Sequence, residues 1–155
     1  MTGVQTCALP ILAVNIPAGV DSENQLRIAG EGEAGVAGGP AGHLYVVVHV
    51  KDHPFFHRDG VNLFCEIPVH FTTLALGGDV QVPTLEEPET VKVPEGTQTG
   101  HTLRLKGKGM PSKSGAGDLY ATVRIMLPEK GDADLDELMK KWRDKKPYDP
   151  RRDIS

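Results

Sequence analysis

The sequence predicts an all-β protein of two tandem β-sandwich domains, the first one truncated, followed by a C-terminal amphipathic helix. Three observations support this prediction. The chain repeats part of itself at a period typical of whole domains. Short segments rich in β-branched residues alternate with turns that contain Pro and Gly. An apolar stripe with helical spacing lies near the C-terminus.

The repeat consists of three blocks of sequence. The first two blocks recur after 77 residues and the third after 75 residues. A duplicated domain with a small length change in one Gly-rich loop explains all three matches. Segments 14–19 (VNIPAG), 25–32 (QLRIAGEG) and 42–45 (GHLY) return as 91–96 (VKVPEG), 102–109 (TLRLKGKG) and 117–120 (GDLY).

The repeat also sets the expected domain boundaries. About thirty residues, 61–90, precede the first block in the second copy, whereas only 13 unrelated residues precede it in the first. We therefore expect the chain to start inside its first domain. Residues 1–11 resemble a translated DNA-sequencing adapter and are interpreted as an assembly artefact. The remaining predicted divisions are a truncated first β domain at 12–59, a second β-sandwich at 60–128, a helical segment at 129–147 and a disordered tail at 148–155.

Six strands are predicted from β-branched residues and the turns between them. They cover 44–50, 63–69, 79–83, 90–93, 102–106 and 118–127. Residues 71–76 are expected to form one or two helical turns that end at Gly77 and Gly78. Within 44–50, Val46 and Val48 share one face of the strand, and the other face is apolar too. Such a strand is either buried on both sides or exposes one face as a docking groove.

The tail predicts one amphipathic helix. Asp134 and Glu137 fit a capping box, with Asp134 as the N-cap. Basic residues suit the C-terminal end of the helix, and Pro147 stops it. A terminal apolar stripe either folds back on its own domain or meets its copy in a partner chain. The stripe consists of Leu135, Leu138, Met139 and Trp142.

Composition excludes several functional classes. A net charge of −4 argues against broad nucleic-acid binding, and no apolar run approaches the roughly 20 residues that a membrane span needs. Of the two cysteines, Cys7 lies in the suspected artefact, so Cys65 has no internal disulfide partner and a reducing cytosolic setting fits.

No catalytic or metal site is predicted. Residues 30–35 spell G-x-G-x-x-G, but Gly38, Gly39 and Pro40 follow, and no helix can start there to bind a dinucleotide phosphate. Histidines at 49, 53 and 57 have the spacing of helical metal ligands, but Pro54 and strand-like flanks argue against a helix.

Several motifs resemble the C-terminal region of the DnaJ family. They are VNIPAGVD (14–21), GEGEAG (30–35), HPFFHRDGVNL (53–63), ALGG (75–78), VPTL (82–85), TQTG (97–100) and GKGMP (107–111). The resemblance extends from Leu12 to about Trp142. It implies two β-sandwich substrate-binding domains and a dimerisation helix, in a co-chaperone that delivers unfolded clients to a DnaK-type chaperone. The J domain's His-Pro-Asp motif and the family's zinc repeats are absent from the sequence, so no cofactor is expected.

The function expected from this resemblance is that of a non-enzymatic chaperone fragment, cytoplasmic and homodimeric. Val46 matches the wall of the family's client groove, and Val48 lies beside it; both are expected to bind clients. Leu135, Leu138, Met139 and Trp142 match its dimerisation helix. The alternative is a structural β-sandwich adaptor without client binding.

Overall fold

The computed structural model describes residues 11–154, which fold mainly as strands with one C-terminal helix. The predicted all-β class is confirmed. The interpretation of residues 1–11 as an artefact lies outside the described residues, except at Ile11. The elements are β1 (Gln25–Ile28), β2 (Leu44–Val47), β3 (His57–Asp59), β4 (Asn62–His70), α1 (Phe71–Leu76), β5 (Gly78–Val82), β6 (Glu89–Val93), β7 (Thr102–Leu105), β8 (Leu119–Met126) and α2 (Ala133–Lys145).

One compact unit comprises residues 11–65 together with residues 104–120. It contains an antiparallel pair, β1 with β2, in which Leu26 lies opposite Val46. It also contains the antiparallel turn from β3 into β4, in which Arg58 lies opposite Leu63. Gly60 reverses the chain here with a φ of +60°, a conformation that suits glycine.

The other compact unit comprises residues 66–103 and residues 121–154. Its hairpin pairs β5 with β6, and Val82 and Val93 on these strands are fully buried. The short helix α1 buries Leu74, whose carbonyl accepts a hydrogen bond from the Thr97 amide at 3.1 Å. The domain boundaries expected from the repeat stay a prediction.

The core lies on one face of a four-stranded sheet with the order β3-β4-β8-β7. Along β4 every second residue is buried, as the period of two in a strand requires when one face covers a core. The exposed face carries Phe64 stacked on Tyr120, with ring centroids 5.1 Å apart. The buried residues of β4 and β8 are Leu63, Cys65, Ile67, Val69, Leu119, Ala121 and Val123.

Some local predictions need correction. Strands β1 and β3 were not among the six predicted, and the strand predicted at 44–50 ends at Val47. Residues Val36–Gly38 form one 3₁₀ turn in which Ala37 has a φ of +57°, so the expectation that no regular helix starts after the glycine loop needs no correction. The N-cap of α2 is Asp132 rather than Asp134, because the Asp132 carboxylate accepts hydrogen bonds from the amides of Asp134 and Leu135 at 2.9 and 3.3 Å.

No helix among the described residues is long and apolar enough to cross a membrane.

Candidate functional site

The sequence repeat is preserved as a repeat of hydrogen bonds. Strand β1 corresponds to β7, and β2 corresponds to β8. The same backbone pairs close both hairpins, at both of their ends. The matching pairs are Glu23 N–Val48 O (2.9 Å) with Gly100 N–Val123 O (2.8 Å), Val48 N–Asn24 O (3.0 Å) with Val123 N–His101 O (2.9 Å), and Gly32 N–Gly42 O (3.0 Å) with Gly109 N–Gly117 O (2.9 Å).

The two hairpins differ in the burial of their apolar face. In the second copy Leu105, Leu119, Ala121 and Val123 are all buried. In the first copy the corresponding Ile28, Val46 and Val48 are only half-buried, and Leu44 is exposed. The hairpin of β1 and β2 therefore presents an apolar face that its duplicate covers. Both predicted groove residues, Val46 and Val48, lie on this face.

Strand β2 also has an open edge among residues 11–154. Its counterpart β8 has strand neighbours on both sides, β4 and β7, whereas β2 pairs with β1 alone. The backbone amide and carbonyl of Val48 both hydrogen-bond on the β1 side. Because backbone groups alternate in direction along a strand, those of Tyr45 and Val47 point to the other edge of β2. The second copy agrees, since the Asp118 carbonyl, which corresponds to that of His43, accepts from the Leu63 amide of β4 at 2.9 Å.

Helix α2 carries the predicted stripe on its surface. Leu138, Met139 and Trp142 are 64%, 47% and 58% exposed, and Leu135 is half-buried. Acidic residues lie in its first turn and basic residues in its last turn, in the order that the helix dipole favours. The structure thus brings all four residues together on one helix and leaves three of them largely uncovered.

Arg58 fixes the turn that precedes β1, a role that the sequence did not indicate. Its guanidinium donates to the carbonyls of Gly19 and Val20 at 2.7 Å each and to that of Gly60 at 2.8 Å. The Asp21 carboxylate lies 3.8 Å away. Gly19 has a φ of +78°, and a side chain there would collide with the Pro111 carbonyl, so this turn requires glycine.

A polar side chain holds the loop of each repeat at the start of its second strand. In the second copy the Asp118 carboxylate accepts from the Gly107 amide at 2.9 Å and from Arg104 Nε at 2.7 Å. The Gly107 hydrogen bond first, and then the Arg104 guanidinium, lower the pKa of Asp118. In the first copy His43 takes this position. Its Nε2 lies 2.6 Å from Arg27 Nη2, and its Nδ1 lies 3.4 Å from the Gly30 amide.

The glycine loop at 30–35, His49 and His53 are engaged in local hydrogen bonds or ion pairs. The Gly32 amide bonds to the Gly42 carbonyl, so it is turned inward rather than toward a phosphate. His49 faces Glu23 at 3.2 Å, and His53 Nδ1 accepts from the amides of Phe55 and Phe56. Among the described residues no group of three or more His, Cys, Asp or Glu side chains could hold a metal ion. Cys65 is buried, and burial raises the pKa of its thiol.

These features together describe a duplicated β module with an uncovered apolar hairpin and an uncovered helical stripe. The sequence model of the DnaJ C terminal domain matches residues 7–128. The chain therefore belongs to the DnaJ C-terminal domain family, a family of co-chaperones.

Curated relatives agree with this assignment. The chaperone protein DnaJ of Bacillus cytotoxicus is 52% identical over 131 residues, which are 83% of this chain and 36% of that protein. The chaperone protein DnaJ of Bacillus mycoides is 50% identical over the same shares. In Bacillus cereus the identity is 50% over 83% of this chain and 35% of the relative. The chain thus spans about a third of the length of these relatives.

Proposed function

We propose that this chain is a non-enzymatic module of a co-chaperone, which binds unfolded polypeptides on the hairpin of β1 and β2 and pairs with a second copy through α2. The observation that carries the proposal is the contrast between the two repeats. The same apolar face is buried in the second copy and half-exposed in the first. Uncovered apolar surface of this kind favours association with apolar partners.

The client is an extended segment with apolar side chains at alternate positions. Strand β4 supports this choice, because it lies beside β8 and buries every second residue. An unfolded segment that adds to the open edge of β2 would supply the backbone partners for Tyr45 and Val47. Its alternate side chains would cover Val46 and Val48. This is strand addition, in which the backbone provides affinity and the side-chain pockets provide selectivity.

Pairing through α2 would place two client surfaces in one particle. A single apolar stripe is self-complementary across a two-fold axis. The acidic first turn and the basic last turn also attract each other when two copies of the helix run antiparallel. In the parent protein the bound client would then pass to a DnaK-type chaperone in the cytosol.

Client binding is tested with a labelled peptide that is apolar at every second residue, by fluorescence anisotropy. Val46→Asp and Val48→Asp should each weaken binding about tenfold or more, because burying one valine contributes about 1.5 kcal/mol or more. Val47→Asp is the matched control, since Val47 lies on the opposite face, and it should change affinity less than about twofold. Equal losses at Val46 and Val47 would mean that the peptide binds elsewhere than on this face, and no binding by the parent chain would leave a structural adaptor as the function.

Pairing is tested separately by sedimentation velocity. Leu138→Asp should convert a dimer into a monomer, because it places a carboxylate in the centre of the stripe. Lys140→Asp introduces the same carboxylate away from the stripe and should leave the dimer intact. A Leu138→Asp variant that sediments like the parent chain would mean that α2 packs on its own subunit.

A further inference from the structure

The start of β4 is held on the second repeat by three hydrogen bonds. The Met110 amide donates to the Val61 carbonyl at 2.8 Å, and the Leu63 amide donates to the Asp118 carbonyl at 2.9 Å. Between them, the Asp118 amide donates to the side-chain carbonyl of Asn62 at 3.1 Å. Two backbone groups and one carboxamide of the entering strand therefore satisfy one amide of the glycine loop and both backbone groups of Asp118.

A glycine makes room for this entry. A side chain at Gly117 would collide with the Val61 carbonyl. The first repeat has Gly42 in this place, and the atom of residues 11–154 nearest to a side chain there would be the Glu33 carbonyl oxygen, at 3.7 Å. Gly42 does not have a positive φ, so alanine can adopt its backbone conformation. The cleft that Val61 fills in the second repeat is thus open in the first.

The first repeat presents the same three backbone groups without a strand beside them. The Glu33 amide corresponds to that of Met110, and the amide and carbonyl of His43 correspond to those of Asp118. Between residues 11 and 154 no hydrogen bond is formed by these three groups of the first repeat, and Glu33 and His43 are exposed. They are therefore available to a strand that enters as β4 does. The loops correspond in their own hydrogen bonds too, Gly42 N–Glu33 O at 2.9 Å and Gly117 N–Met110 O at 3.0 Å.

The contacts also define the direction of the entering strand. Asn62 contacts Asp118, and two residues later Phe64 stacks on Tyr120. Residue numbers rise together along β4 and β8, so these two strands run parallel. A strand seated in the same way on the first repeat would run parallel to β2.

We propose that the first repeat selects client strands that run parallel to β2 and carry Asn at their entry, followed by aliphatic residues at alternate positions, as β4 does. The Asn side-chain carbonyl accepts from the His43 amide. The carbonyl of the preceding residue accepts from the Glu33 amide and fills the cleft at Gly42. An apolar residue in place of Asn would cover the His43 amide without pairing it, which costs affinity. This inference rests on the proposed client binding and adds a direction and a sequence preference to it.

Two labelled peptides test the preference by fluorescence anisotropy. One copies residues 61–69 with Cys65→Ala, and the other carries Asn62→Leu in addition. The Asn peptide should bind about threefold to tenfold more tightly, the ratio that corresponds to one hydrogen bond.

A methyl group placed in the open cleft tests the mode of entry. Gly42→Ala should weaken binding of the Asn peptide about tenfold, because the methyl meets the entering carbonyl, while the thermal unfolding curve stays that of the parent chain. Gly131→Ala is the matched control, since it places the same methyl in open space outside the first repeat. It should change affinity less than about twofold.

A nitroxide label on the peptide tests the direction by NMR. A label at the N-terminus should broaden the amide signals of Gly42 and His43 most, and a label at the C-terminus those of Val48 and Val50. The reverse pattern, equal affinity for the two peptides, or parental affinity in Gly42→Ala would overturn the inference and leave client binding itself in place. If neither peptide binds the parent chain, the inference and the proposed function both fail.

Discussion

Removing the Arg58 guanidinium should release the turn before β1. Arg58→Ala deletes three hydrogen bonds from a charged donor, to the carbonyls of Gly19, Val20 and Gly60. Hydrogen bonds to charged groups contribute about 1.5–3 kcal/mol each. Water can reach part of these carbonyls after the deletion, because Gly60 is exposed and Gly19 and Val20 are half-exposed. We therefore expect the free energy of unfolding to fall by about 2–4 kcal/mol rather than by the full sum.

Urea unfolding followed by circular dichroism measures this loss, and two further variants test its cause. Arg58→Lys keeps the charge but not the planar fork, so it should recover less than about half of the loss. Asp21→Asn removes only the 3.8 Å ion pair, whose carboxylate is 57% exposed, and should cost less than about 0.5 kcal/mol. The reasoning fails if Arg58→Ala stays within about 0.5 kcal/mol of the parent chain, or if Asp21→Asn costs as much as Arg58→Ala.

Three further outcomes are expected. Glu23 has a φ of +66° where the second repeat has Gly100. Glu23→Gly should therefore raise the free energy of unfolding in urea by about 0.5 kcal/mol, because the relief of left-handed strain exceeds the extra chain entropy of glycine in the unfolded state. The lowered pKa of Asp118 means that its stabilisation is present above the ordinary carboxyl pKa and is lost as pH falls. Asp118→Asn should therefore be less stable than the parent chain at pH 7, and the difference should shrink below about pH 4. In a Cys7→Ser background, Cys65 should react with iodoacetamide at pH 8 about tenfold or more slowly than in urea, because burial raises its pKa and blocks access; equal rates would contradict its buried position.

Strand positions were predictable where β-branched residues lie between turns that contain Pro or Gly. Strand β2 is an example, because 44–50 is rich in valine. Strand β3 contains no β-branched residue and β1 contains only Ile28, so composition did not reveal them. The repeat could have revealed β1, because it aligns 25–32 with 102–109, where a strand was predicted.

The apolar stripe of α2 was predictable because its residues lie close together in the chain at helical spacing. The helical spacing alone placed Leu138 and Trp142 on one stripe, and the structure leaves both exposed. The role of Arg58 was hidden, because its partners lie 38 and 39 residues away in the chain. The exchange of Asp118 for His43 is visible in the sequence as GDLY against GHLY. Its meaning depends on Arg27 and Gly30, which only the fold brings to the ring.

The most direct test of the central proposal is an NMR titration of the labelled chain with the alternating apolar peptide. Strand addition at the open edge predicts that the amides of Tyr45 and Val47 shift most and become protected from exchange. The amides of β5 and β6 should not move, because those strands already pair with each other. Shifts centred on any other surface, or no shift at saturating peptide, would contradict binding at the edge of β2.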